Sequence, residues 1–313
     1  MSNPNDPHLD AKELVARKTV PASLAVRSIG FYAKGCLAGA EALPINGKTW
    51  QVMRLSRNRN WAHPDMIKLL ERLSDKVHEV AGWPGLLVGD LSQPRGGPML
   101  TGHTSHQAGV DADVWLTPMP DRELSRVERE EMSATMMVRA DRLDVDPKVW
   151  TPSHLLVIRA AAEEPQVERI FVNAAIKKAL CREAEGDRTW LSKVRPMYGH
   201  DYHYHIRIKC PAADSECKSQ PPPSTDEGCS PKDFAYWFNE PRAPWDVSRH
   251  AVKARTANNA CRSSRRLPQD PGRSVTCPGA CVVGTIESQP YSNAGAGQQV
   301  SSSSELMLFG SGI

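Results

Sequence analysis

Apolar residues between His63 and Val80 recur along one side of a helix. Met66, Leu70, Leu73, Val77 and Val80 follow one another at alternating intervals of four and three. Such a stripe buries one face and leaves the other charged, and Pro64 suits the first turn. Leu86-Leu87-Val88-Gly89-Asp90 predicts a short buried strand leading to the Gly96-Gly97 turn. From Val110 to Trp115 the pattern becomes alternation, with Val110, Ala112 and Val114 on one face and Asp111, Asp113 and Trp115 on the other. Tyr202 to Lys209 alternates too, so Tyr204, Ile206 and Ile208 oppose His203, His205 and Arg207. Between these strands, Thr151-Pro152 starts a helix reaching Ala162, Arg169 to Val172 forms a strand, and Asn173 caps a helix ending near Cys181 and Glu183. Helices and strands are interspersed without a βαβ rhythm, which predicts an α+β fold.

The same pattern divides the chain. Residues 1–27 form a polar leading segment, and the helix beginning near His63 is the first element the pattern declares. Residues 28–242 make up the folded domain, and 243–313 read as a Ser/Gly-rich tail that ends near Ser301-Ser302-Ser303-Ser304.

Composition narrows the possibilities. With 40% hydrophobic and 24% charged residues and 25 prolines, the chain has the make-up of a loop-rich globular protein. Its 39 basic and 36 acidic residues nearly cancel, which argues against nucleic acid as a partner. No apolar run approaches the roughly 18 residues of a membrane span. The eight cysteines form no CxxC signature and fit an oxidising compartment, where they pair. The first twenty residues lack the zones of a secretory signal. A periplasmic location is therefore expected with the signal missing from this version of the sequence.

Five of the ten histidines fall in two short segments, Gly102-His103-Thr104-Ser105-His106 and Gly199-His200-Asp201-Tyr202-His203-Tyr204-His205. Zinc takes about four ligands from His, Cys and carboxylate, and a catalytic site keeps one place for water. His106 on a loop and Asp113 on the following strand supply two ligands, and His205 can complete three. Because His203 shares a face with His205, one can bind metal while the other stands beside the water. The blander alternative is that each alternating face is merely solvated. His8, His63, His78, His154 and His250 carry no comparable signal, and Gly89-Asp90 and Gly96-Gly97 read as turns rather than phosphate cradles.

His106-Gln-Ala-Gly-Val-Asp-Ala-Asp113 and His203-Tyr-His205 resemble the two signature motifs of the LAS metallopeptidases, the group of lysostaphin-type, D-Ala-D-Ala carboxypeptidase and hedgehog-like zinc folds. Residues 46–54, 169–173, 175–177 and 194–196 extend the likeness toward the murein endopeptidase branch, over roughly residues 28–240. The resemblance implies an antiparallel-sheet core with flanking helices. It implies a catalytic zinc on His106, Asp113 and His205, with His203 and His200 beside the water and His103 as a further metal-associated histidine. A second metal position would involve Asp141 and Asp144, although the family has a histidine where Asp144 stands. The implied disulfides are Cys181 with Cys229 and Cys210 with Cys217, with Cys261 as the suggested partner of Cys36. The implied substrate is the D-alanyl-meso-diaminopimelyl cross-link of peptidoglycan. The alternatives are a related carboxypeptidase or a zinc-stabilised wall-binding module without turnover.

Overall fold

The computed structural model describes residues 10–239. In chain order the strands are β1 (Arg27–Phe31), β2 (Lys34–Ala38), β3 (Glu41–Ala42), β4 (Trp50–Val52), β5 (Trp61–Ala62), β6 (Leu86–Val88), β7 (Asp111–Pro118), β8 (Val167–Val172), β9 (Val194–Pro196), β10 (His203–Ile208) and β11 (Cys217–Lys218). The helices are α1 (Ala11–Ala16), α2 (Pro64–Ala81), α3 (Arg126–Glu131), α4 (Pro152–Glu163), α5 (Ala174–Glu183) and α6 (Pro231–Asn239).

Six strands form the central sheet in the order β4-β6-β7-β10-β8-β9. Its middle is antiparallel, as the α+β reading expects, across β6–β7, β7–β10 and β10–β8. Each edge adds a parallel pair, β4 with β6 and β8 with β9, which strand patterning alone does not reveal. The apolar sides of β7 and β10, including Ala112, Val114, Tyr204 and Ile206, join one core with Leu70, Leu73 and Val77 of α2 and Val157, Ile158 and Ala161 of α4. Burying each of the larger side chains contributes roughly 1.5–3 kcal/mol, so this face fixes which side of the sheet remains for chemistry.

Helix α2 begins as predicted. The His63 Nδ1 accepts the Asp65 backbone N–H at 3.1 Å, and Pro64 follows in the first turn. The buried face also includes Ile67 and Leu69, whereas Val80 is exposed because it lies in the last turn before the left-handed Gly82. Asn173 Oδ1 accepts the Ala175 N–H at 2.8 Å and starts α5.

The leading third is more structured than its pattern suggests. Helix α1 buries Val15, and β1 and β2 form a hairpin joined in parallel by β11. A six-residue helix and five-residue strands containing Gly30 and Gly35 are too short to show periodicity. Cys181 pairs with Cys229 and Cys210 with Cys217. Cys261, suggested for Cys36, and the tail from 243 lie outside the described residues, as do His8 and His250.

Candidate metal centre

Strands β7 and β10 meet in the register His203↔Trp115, His205↔Asp113 and Arg207↔Asp111. The alternation that buries Tyr204 and Ile206 against the helices therefore gathers the three polar pairs on the opposite face. His106 joins from the preceding loop with a left-handed φ of 64°. Its backbone is pinned at both ends: the N–H donates to Asp111 Oδ2 at 3.2 Å, and the carbonyl accepts the Ser92 hydroxyl at 2.6 Å.

Asp113 Oδ1 is the focus of the cluster. His205 Nδ1 lies 3.3 Å away, His106 Nε2 3.4 Å and His203 Nε2 3.7 Å. None of these is a hydrogen bond, and Asp113 Oδ1, both His106 ring nitrogens and His203 Nδ1 are buried polar atoms without a hydrogen-bond partner. Buried polar atoms are normally satisfied, so the cluster lacks something that accepts lone pairs. Zinc bonds of 2.0–2.2 Å place neighbouring donors of a tetrahedron about 3.3–3.6 Å apart. The spacings of His106 and His205 from Asp113 meet that requirement, so the donor set fits a zinc ion.

His103 closes the cluster on its outer side. Its Nε2 is 3.0 Å from Asp90 Oδ2 and 3.4 Å from Asp113 Oδ2. One ligating atom each from His103, His106 and Asp113 lies within 4.8 Å of the others. His205 faces the same carboxylate oxygen as His106, whereas His103 faces the other oxygen and also Asp90.

Electrostatics keep the carboxylates charged. Burial opposes ionisation of Asp113, but His106, His203 and His103 outweigh it and hold its carboxyl well below the usual range. Burial is likewise overcome at Asp90, where His103, Arg57 and Arg59 bring the value down to about 2. Burial pushes His203 down and, with its neighbours His203 and His205, takes His200 to about 3. His200 donates its Nδ1 proton to the Tyr198 carbonyl at 2.9 Å, and its ring lies 4.7 Å from that of His203. A cleft of about 290 Å³ opens onto this cluster, lined by Arg54, Arg57, Trp115, Tyr202 and Met136 beside the site residues.

A family described as penicillin-insensitive murein endopeptidase matches residues 28–282 of the sequence. The chain belongs to that family. Relatives named penicillin-insensitive murein endopeptidase include one from Haemophilus influenzae, 44% identical over 224 residues, covering 72% of this chain and 77% of the relative. One from Klebsiella pneumoniae is 41% identical over 224 residues, covering 72% and 81%. One from Escherichia coli is 39% identical over the same length and the same shares.

The remaining carboxylates of this murein endopeptidase family member divide sharply. Asp141 pairs with Arg139 at 2.7 Å, and Asp144 pairs with Arg182 at 2.9 Å and Lys178 at 3.2 Å. The structure does not bring these two into the histidine cluster. Two acids that sequence reasoning passed over do belong beside it. Asp111 accepts from His205 Nε2 at 2.7 Å and from Arg207 Nε at 2.6 Å. Its placement on the same face as Asp113 was visible in the alternation. Asp90, read as part of a turn, is buried against His103, and a lone acid after a short strand offers no signal of that partnership.

Proposed function

We propose that this chain is a zinc-dependent murein endopeptidase that hydrolyses the D-alanyl-meso-diaminopimelyl cross-link of peptidoglycan. The observation that carries the reading is the group of unpartnered buried donors around Asp113 Oδ1, in a chain whose relatives are named for murein cleavage. His106, Asp113 and His205 hold the zinc, and His103 braces Asp113 from outside. Bound there, zinc supplies a Lewis acid that polarises the scissile carbonyl and lowers the pKa of water from 15.7 toward about 7.

The protein's own groups handle the proton. His203, which lines the cleft with its Nε2 3.7 Å from Asp113 Oδ1, takes the proton released by the attacking water, then returns it to the departing amine. His200, with Nδ1 committed to the Tyr198 carbonyl, keeps Nε2 as an acceptor beside His203. Asp113 offsets the positive charge that accumulates on His203 during the transfer. No serine nucleophile takes part, so a β-lactam has nothing to acylate. The two disulfides and the murein substrate support a periplasmic location.

Digestion of purified murein sacculi tests the proposal. Product masses should report cleavage between D-alanine and meso-diaminopimelate, with activity lost to a chelator and restored by zinc. Release of terminal D-alanine alone would favour a carboxypeptidase. Undiminished cleavage after complete metal removal would overturn the zinc assignment, and zinc binding without turnover would leave only a wall-binding module.

A further inference from the structure

Three arginines follow β4, and two of them each hold several partners. Arg54 donates to the carbonyls of Arg129, Glu130 and Met132, closing the loop beyond α3. Arg59, with a side chain only 11% exposed, donates to Asp90 Oδ2 at 2.8 Å and to the Thr101 carbonyl at 3.0 Å. Arg57 reaches the same Asp90 oxygen at 3.0 Å, yet its side chain is 47% exposed. Asp90 already has Arg59 and His103 as partners, so its charge is answered without Arg57. The other side-chain donors of Arg57 have no hydrogen-bond partner among the described residues, and Arg57 lines the cleft with Trp115 and Tyr202.

The charge balance of the cleft points to an anion. Its lining carboxylates, Asp90 and Asp113, are both buried and already surrounded by cations or histidines. Arginine presents a planar fork of donors that matches a carboxylate, and such charge-assisted bonds are stronger than neutral ones.

The turn that carries Arg57 is also held rigid. A 3-10 turn at Leu55–Arg57 is bracketed by left-handed Arg54 and Asn58, with φ of 56° and 50°. Ser56 binds Glu130 through its N–H at 2.7 Å and its hydroxyl at 2.8 Å, and Asn58 donates to the Thr19 carbonyl at 3.0 Å. Arg57 thus projects from a fixed base, which lowers the ordering cost of gripping a ligand.

We propose that Arg57 forms a carboxylate-binding subsite of the cleft and reads the carboxylate on the leaving half of the cross-link. The inference rests on the endopeptidase reading above. In a D-alanyl-diaminopimelyl cross-link the acylated amine sits on a carbon that also bears a carboxylate, so a negative charge lies two bonds from the departing nitrogen. Arg57 contacts that group and selects substrates that carry it.

Two synthetic cross-linked peptides that differ only in this group, one carboxylate and one carboxamide, test the subsite. The wild-type protein should cleave the carboxylate with kcat/KM about 10- to 100-fold higher, the range expected for a charge-assisted contact. Arg57→Gln should cleave both at the rate of the wild type on the carboxamide, with unchanged zinc content and melting temperature. Arg57→Lys should recover part of the preference. Undiminished discrimination by Arg57→Gln, or equal cleavage of both peptides by the wild type, overturns the subsite while leaving the endopeptidase reading intact. Cleavage of neither peptide by the wild type removes that reading and the subsite with it.

Discussion

His205 Nε2 lies 2.7 Å from Asp111 Oδ1, so its opposite ring nitrogen, Nδ1, is the one turned toward Asp113 at 3.3 Å. A carboxylate accepts, so Nε2 carries a proton, and in the neutral ring Nδ1 keeps its lone pair. Asp111 thereby selects the tautomer that can ligate a metal, as outer carboxylates commonly do. Asp111 is itself held by Arg207, whose guanidinium stacks 3.4 Å from the centre of the Tyr32 ring and donates to Gln220 Oε1 at 2.8 Å.

Replacing Asp111 by Asn should weaken zinc affinity by about 10- to 100-fold, the usual effect of losing an outer partner. Competition with a chromophoric chelator measures it, and ¹⁵N resonances of His205 in the metal-free protein should show mixed tautomers. Unchanged affinity and a single tautomer would remove Asp111 from this role. Asp111→Ala should in addition cost about 3–5 kcal/mol of stability, because Arg207 stays buried without its partner.

The division of labour between ligand and proton carrier gives a second expectation. His106→Ala should lose both zinc and hydrolysis, whereas His203→Ala should retain about one zinc per chain and lose about 10²- to 10⁴-fold in rate. Metal analysis alongside muropeptide digestion separates the two variants. Full activity in His203→Ala would show that the proton travels by another route.

A third concerns pH and a residue outside the histidine cluster. Lys177 is fully buried and donates to the carbonyls of Leu191 at 2.7 Å and Glu227 at 2.6 Å. Burial, reinforced by nearby Arg195, lowers its ammonium to about 7 from the ordinary 10.5. Between those values the unfolded chain holds more protons than the folded one, so unfolding free energy rises with pH through this window. The contribution is complete above the ordinary lysine value and fades as pH falls through the folded value. Urea unfolding at several pH values from 6.5 to 9.5 should show this rise in the wild type and a flatter profile in Lys177→Met. Parallel profiles would contradict the assignment.

The parts of the fold that were legible in the sequence share one physical cause. Strands β7 and β10 separate apolar from polar faces residue by residue, so alternation put Asp113 on the polar face of one and His203 with His205 on the polar face of the other, while the clustered histidines and the family motifs suggested that they meet. The stripe on α2 and the caps of α4 and α5 were equally direct. What stayed hidden depends on partners distant in sequence. Asp90 meets His103 only because the segment leaving β6 passes beside the loop that carries His103. The parallel edges of the sheet and the β1–β11 pairing likewise rest on non-local register that short segments do not encode. Nor does the spacing of Asp141 and Asp144 reveal that Arg139, Arg182 and Lys178 pair with them.

The left-handed backbone at His106 sets two selections against each other at one position. Conformation alone favours glycine there, since a side chain in that region costs on the order of 1–3 kcal/mol. The coordination proposed above needs an imidazole there. The fold therefore holds an imidazole in a backbone conformation that side chains seldom adopt, and it does so through the contacts that Asp111 and Ser92 make with the two ends of that peptide unit.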